Sequence, residues 1–160
     1  MQKLAALVLF ACVLAAQTPP DQIHLAWTRD PSTTVTVVWR TLDTAVPSAV
    51  EYRRQGENRW RRAIGGPRPS GTEGRLHEAL VQGLEPGSRY EYRVAGPQGI
   101  WSNVYSFLTA PRPGGAFEAV FLADTGLDGR LDGLSTGTRE VVDAVAQCDP
   151  TVILWGGDGA

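Results

Sequence analysis

Leu84-Glu85-Pro86-Gly87-Ser88-Arg89-Tyr90, running on into Tyr92 and Val94, is the stretch whose reading decides the fold. A Leu-x-Pro-x-x-x-Tyr run puts a tyrosine where a strand enters from a crossover loop, so that its hydroxyl can bond the backbone just upstream and form a tyrosine corner. Pro86 and Gly87 supply the loop, and the alternation of Tyr90, Tyr92 and Val94 supplies the strand.

The same period of two recurs on both sides. Ile23, Leu25 and Trp27 alternate with His24, Ala26 and Thr28, while Val35, Val37 and Trp39 alternate with Thr34, Thr36 and Val38. Alternation built from β-branched and aromatic residues means strands. Thr28-Arg29-Asp30-Pro31-Ser32 between them combines a preset proline φ with short capping side chains, which predicts a hairpin turn. Further short strands are expected at 49–53, 60–64, 76–80, 89–94 and 104–108, separated by Gly- and Pro-bearing loops. Seven strands at this spacing predict an all-β sandwich, and with the corner motif the segment 19–109 resembles a fibronectin type III domain. Trp27, Trp39 and Tyr92 are expected in its core. His24 and His77 are expected at its surface, pointing away from an inward set that includes Leu25, Leu76 and Leu80.

The amino-terminal stretch reads differently. Met1-Gln2-Lys3 is followed by an uncharged apolar run from Leu4 to Ala16 and then by Gln17-Thr18-Pro19-Pro20, the pattern of a secretory signal peptide over 1–16 with cleavage near Ala16. The run is shorter than the roughly 20 apolar residues a membrane-spanning helix needs. The protein is therefore expected to be secreted or periplasmic, with no membrane span. Leu9-Phe10-Ala11-Cys12 is a poor lipobox because Phe10 is bulky and the apolar run continues past the cysteine. With Cys12 removed, Cys148 is the one thiol left, so the fold must rest on its core and not on a disulfide.

After the domain expected over 17–110, Pro111-Arg112-Pro113-Gly114-Gly115 reads as a linker. Residues 117–123 form a mostly apolar run that ends in Asp124-Thr125-Gly126, the signature of a buried strand delivering an acid to its carboxyl end. Residues 138–148 carry Val141, Ala144, Val145 and Cys148 at helical spacing, with Thr136 or Thr138 as the cap; Asp149-Pro150 stops that helix. A second apolar strand, 151–155, ends in Gly156-Gly157-Asp158-Gly159-Ala160. Strand, helix and strand predict a right-handed parallel βαβ unit, in which both strands end at one edge. Asp124 and Asp158 are thereby expected side by side, and two adjacent carboxylates invite a cation.

These two motifs, Ala123-Asp124-Thr125-Gly126 and Gly157-Asp158-Gly159-Ala160, resemble the first two metal motifs of purple acid phosphatases, within the calcineurin-like metallophosphoesterases. The sandwich fits that resemblance, opening as Pro20-Asp21-Gln22-Ile23-His24-Leu25 and closing from Trp101-Ser102 through Phe107-Leu108-Thr109-Ala110-Pro111. The resemblance implies an all-β fibronectin type III-like sandwich followed by an incomplete α/β (βαβ) start of a metallophosphoesterase domain over 116–160. It implies a dinuclear metal centre of Fe(III) plus Zn, Mn or Fe(II), with Asp124 on the ferric ion and Asp158 bridging both ions, about 3.5–4 Å apart. It further implies hydrolysis of phosphate monoesters, with hydroxide supplied at the centre for in-line attack on phosphorus. The chain departs from the pattern in having Ala123 where a glycine is usual. A tyrosine is expected one position past Ala160, and the asparagine and histidine motifs are missing, since His24 and His77 both belong to the sandwich. The 160-residue chain alone is expected to be inactive.

Other readings are weaker. Both acids could be capping or turn residues, which are common after parallel strands. Residues 124–135 have the outline of a calcium loop, but Gly126 and Ser135 stand where an EF-hand needs ligands. Glycines 126, 129, 133 and 137 do not have the G-x-G-x-x-G spacing of a dinucleotide loop. Arginines 53, 54, 59, 61, 62 and 68 gather around Trp60, and a formal net charge of −2 with 20% charged residues points away from nucleic acid, so this cluster reads as a solvated strand face. The competing function is an exported fibronectin type III-like binding module without catalysis.

Overall fold

The computed structural model describes residues 18–43, 45–71, 73–123 and 136–156. Eight strands build the sandwich: β1 (Asp21–Ala26), β2 (Thr34–Thr41), β3 (Ala49–Arg54), β4 (Arg61–Ile64), β5 (Gly66–Pro69), β6 (Arg75–Gln82), β7 (Arg89–Val94) and β8 (Tyr105–Leu108). They form two four-stranded antiparallel sheets in the orders β1-β2-β6-β5 and β4-β3-β7-β8. The strand not foreseen is β5, whose Gly-Pro-Arg-Pro sequence hides it from any propensity argument. It survives because it is an edge, where prolines cost no ladder bond. The chain changes sheets at Gly65, where a Cβ would collide with the carbonyl oxygen of Glu78. Trp60 falls just outside β4.

The corner forms as its sequence dictates. The Glu85 N–H donates to the Tyr90 hydroxyl at 3.0 Å. Thr109 completes the loop: its hydroxyl donates to the Glu85 carbonyl at 2.7 Å and accepts from the Ser88 N–H at 2.9 Å. The β1–β2 turn is likewise held by its acid, since Asp30 accepts from the Ser32 N–H at 2.9 Å and from the Ser32 and Thr33 hydroxyls. These bonds hold the Asp30 carboxyl below its usual range, Ser32 contributing most.

Between the sheets lie Val35, Val37, Trp39, Val50, Tyr52, Ala79, Val81, Leu84, Tyr90, Tyr92, Val94 and Phe107. Burial pushes the Tyr92 phenol up to about 12. Trp27 lies past the end of β1 and is 40% exposed, so of the three aromatics expected inside only Trp39 and Tyr92 are core. The face of β6 is also the reverse of expectation. Leu76 and Leu80 are half-buried on the outer side, while His77, Ala79 and Val81 point inward, His77 with 0% exposure. Both faces of this strand carry apolar residues, so alternation alone does not choose between them. The large rings of Trp39 and Tyr92 occupy the interior, and the register brings Trp39 opposite His77, whose ring stacks on it at 5.0 Å. His24 is exposed on the edge strand β1.

On the outer face of the second sheet Arg53, Arg62 and Arg93 are engaged, not merely solvated. Arg53 and Arg93 cover the Trp60 ring at 4.4 and 4.8 Å, and Arg93 and Arg62 flank Trp101 at 5.1 and 5.4 Å. The sequence Arg53, Trp60, Arg93, Trp101, Arg62 is thus an alternating stack of cations and rings. Glu51 accepts from Arg62 at 2.6 Å and from Arg93 at 2.6 and 2.9 Å, and Glu91 accepts from Arg53 at 2.6 Å.

Beyond the sandwich, β9 (Ala119–Leu122) and β10 (Val152–Trp155) pair in parallel, with α1 (Thr136–Cys148) between them in sequence. The βαβ order is therefore present, its helix beginning two residues before the apolar pattern. Two strands and one helix bury little: Phe121 is 68% exposed and Trp155 49%, and Val141 of the helix also faces solvent. Arg89, at the start of β7, pairs with Asp149 at 2.9 Å and links this unit to the sandwich. Among the described residues no helix is long and apolar enough to cross a membrane.

Candidate metal centre

The parallel register sets Leu122 opposite Trp155, and the Gly156 N–H donates to the Leu122 carbonyl at 2.6 Å. Ala123 and Gly156 therefore leave the sheet as neighbours at its carboxyl edge. Glycine suits that exit, since a Cβ at Gly156 would lie 2.5 Å from the Phe121 ring and 3.1 Å from the Ala123 methyl. Asp124 and Asp158, the two residues expected to hold a cation, lie outside the described residues.

The described residues contain no group of three His, Cys, Asp or Glu side chains that could hold a metal ion. The two histidines are spoken for elsewhere: His24 Nδ1 lies 2.7 Å from the Gln22 carbonyl, and His77 is sealed in the sandwich. A shallow open depression on the βαβ unit, lined by Glu118, Ala119, Val120, Cys148 and Pro150, lies at the amino ends of β9 and β10. That is the end opposite the Ala123 and Gly156 exit, so it is separate from the edge at which the two acids follow.

Two groupings escaped the sequence reading. One is the buried cluster of Thr41, Ser48 and His77, joined by bonds of 2.9 Å on each ring nitrogen. The other is the cation and ring stack, for which the interleaving of arginines with Trp60 was the available signal.

The fold and its edges define an antiparallel β-sandwich of fibronectin-like form with a parallel βαβ unit after it. Residues 20–109 match the family described as the purple acid phosphatase N-terminal domain, which is more than half of the chain, and the chain belongs to that family. The matched span takes in the whole sandwich from β1 to β8. No curated protein matches the sequence. Among solved structures, the sensor domain of the anti-sigma factor RsgI4 from Pseudobacteroides cellulosolvens is similar at 11% identity and a TM-score of 0.43, covering 60% of this chain and 99% of that one. That likeness is too loose to bear on fold or function.

Proposed function

We propose that the chain is the amino-terminal part of an exported phosphatase that hydrolyses phosphate monoesters, its sandwich serving as an accessory domain beside a metallophosphoesterase domain that begins near residue 116. The observation that carries this reading is the family match over 20–109. The parallel pairing of β9 and β10 supports it, because the chain enters both Asp-bearing motifs from one sheet edge. In this reading Asp124 would hold a ferric ion, and Asp158 would be shared between it and a second ion, Zn, Mn or Fe(II). The bound pair supplies Lewis-acid polarisation of a phosphoryl oxygen and a nucleophile at moderate pH. What the chain contributes is two carboxylates and the strand ends that aim them; two carboxylates do not fill a dinuclear centre, so the 160-residue chain should be inactive alone.

The test is a pair of assays with p-nitrophenyl phosphate in the presence of iron and zinc. The 160-residue chain is expected to show no metal-dependent turnover, and a chain extended along its reading frame is expected to show it. The extension should begin with tyrosine and contain a Gly-Asn-His and a His-x-His segment. Turnover by the short chain, or a reading frame without those segments, would overturn the proposal; the latter result would favour a secreted binding module.

A further inference from the structure

His77 is a fully buried imidazole beside the apolar core of the sandwich, and both its nitrogens are used. Nε2 lies 2.9 Å from Thr41 Oγ1, and Nδ1 lies 2.9 Å from Ser48 Oγ. Thr41 settles which nitrogen carries the proton. Its hydroxyl has a single hydrogen, given to the Asp43 carbonyl at 2.6 Å, so toward His77 it can only accept. Nε2 is therefore the protonated nitrogen, and Nδ1 accepts from Ser48. The ring thus ties together the two ends of the β2–β3 connection, and Ser48 extends the tie by accepting the Gly65 N–H at 2.8 Å, where the chain changes sheets.

We propose that His77 is a proton-operated clasp: it holds the β2–β3 connection shut while neutral, and uptake of a solvent proton at Nδ1 breaks the Ser48 bond and loosens that end of the sandwich. A proton on Nδ1 faces the Ser48 hydroxyl hydrogen, so Ser48 must turn, and a cation is left in an interior that offers it no carboxylate. On β6 the nearest inward-row charge is Arg75, which repels it. From β2, Trp39 and Thr41 face the ring, while Arg40 is on the outer side with Asp21. From β3, Glu51 is on the outer side with Arg62 and Arg93. In the connection the Asp43 carboxylate accepts the Ala45 N–H, and on β5 the residue opposite is Pro67, next to Arg68, which pairs with Glu78. The Trp39 ring would favour a cation stacked on it, but burying an unpaired charge costs more than such a stack returns. Desolvation, with Arg75 adding to it, accordingly holds His77 below its ordinary value of 6.5.

The sign follows from linkage. The unfolded chain takes up the proton below 6.5 and the folded chain resists it, so stability is complete above 6.5 and is lost as pH falls toward the lower folded value. The folded-to-unfolded ratio should drop by up to about tenfold per pH unit over that window. Urea titrations of the full chain between pH 8 and 5 should show this fall, and it should be absent in His77→Gln, which cannot titrate. If that variant does not fold, nitrogen-15 shifts of the unaltered protein decide instead: His77 should be the Nε2–H tautomer at pH 7. The amides of Ala45 and Gly65 should lose protection, taken relative to their intrinsic exchange rates, on acidification before those of the β7 strand. Parallel pH profiles for the two proteins, an Nδ1–H tautomer, or a folded imidazolium at pH 6 with unchanged Ala45 and Gly65 protection would each overturn the clasp.

Discussion

Removing the hydroxyl of Tyr90 tests the corner on which the sandwich reading rests. Tyr90→Phe keeps the ring, which is 1% exposed and stacked on Phe107 at 5.7 Å, so no cavity opens. It deletes the acceptor of the Glu85 N–H and nothing else. A net backbone-to-hydroxyl bond is worth about 0.5–1.5 kcal/mol, and leaving a buried donor unpaired costs about 1–3. The bond is only part-buried, so the unpaired N–H keeps some access to water, and the expected loss is about 1 kcal/mol. With a urea slope of about 1 kcal/mol per molar for a small domain, the midpoint should fall by about 1 M with the slope unchanged. Thr109→Val strikes the same residue from its carbonyl side and also strands the Ser88 N–H, for an expected loss of about 2 kcal/mol. Because both bonds converge on Glu85, the double variant should lose less than the sum of the two. A Tyr90→Phe midpoint within 0.2 M of the unaltered protein, or strict additivity with Thr109→Val, would refute the corner as a stabilising unit.

Two further outcomes follow from the sandwich and the βαβ unit. Partial burial pushes the Glu51 carboxyl up, but the guanidiniums of Arg62 and Arg93 outweigh it and hold it below its ordinary 4.5. Its contribution is therefore present above 4.5 and lost as pH falls through the lower folded value, so Glu51→Gln should flatten the urea midpoint profile below pH 4.5 and leave the window above it unchanged. Hydrogen exchange should show slow amides in β2, β3, β6 and β7 and fast ones in β9 and β10, whose side chains largely face solvent; equal protection in both would contradict this.

Much of the fold was legible because its signals are local. The Tyr90 motif, the Asp30 turn and the period of two in β2 and β7 each state a backbone requirement within a few residues. The Ala119–Leu122 and Val152–Trp155 strands announce themselves as short apolar runs. What the sequence could not show depends on long-range register. On β6 the choice of inward face is made by Trp39 and Tyr92 on other strands, so alternation alone points His77 to the wrong side. The β5 strand owes its existence to pairing with β6 against its own composition. The arginines around Trp60 look like solvated charge until Arg93 and Trp101, far along the chain, close the stack. The candidate site was legible only as motifs, because the proposed pairing of Asp124 with Asp158 depends on the parallel pairing of β9 and β10, which neighbouring sequence does not encode.

That juxtaposition is the central claim, and paramagnetic broadening reads it without requiring turnover. Mn(II), one of the ions proposed for the second position, should broaden the amide signals of Ala123 and Gly156 together when titrated into the full chain. Asp124→Asn and Asp158→Asn should each weaken that broadening strongly while leaving the sandwich signals unchanged. Broadening that ignores these two amides, or that survives both substitutions, would contradict the placement of the two acids at one metal-binding edge.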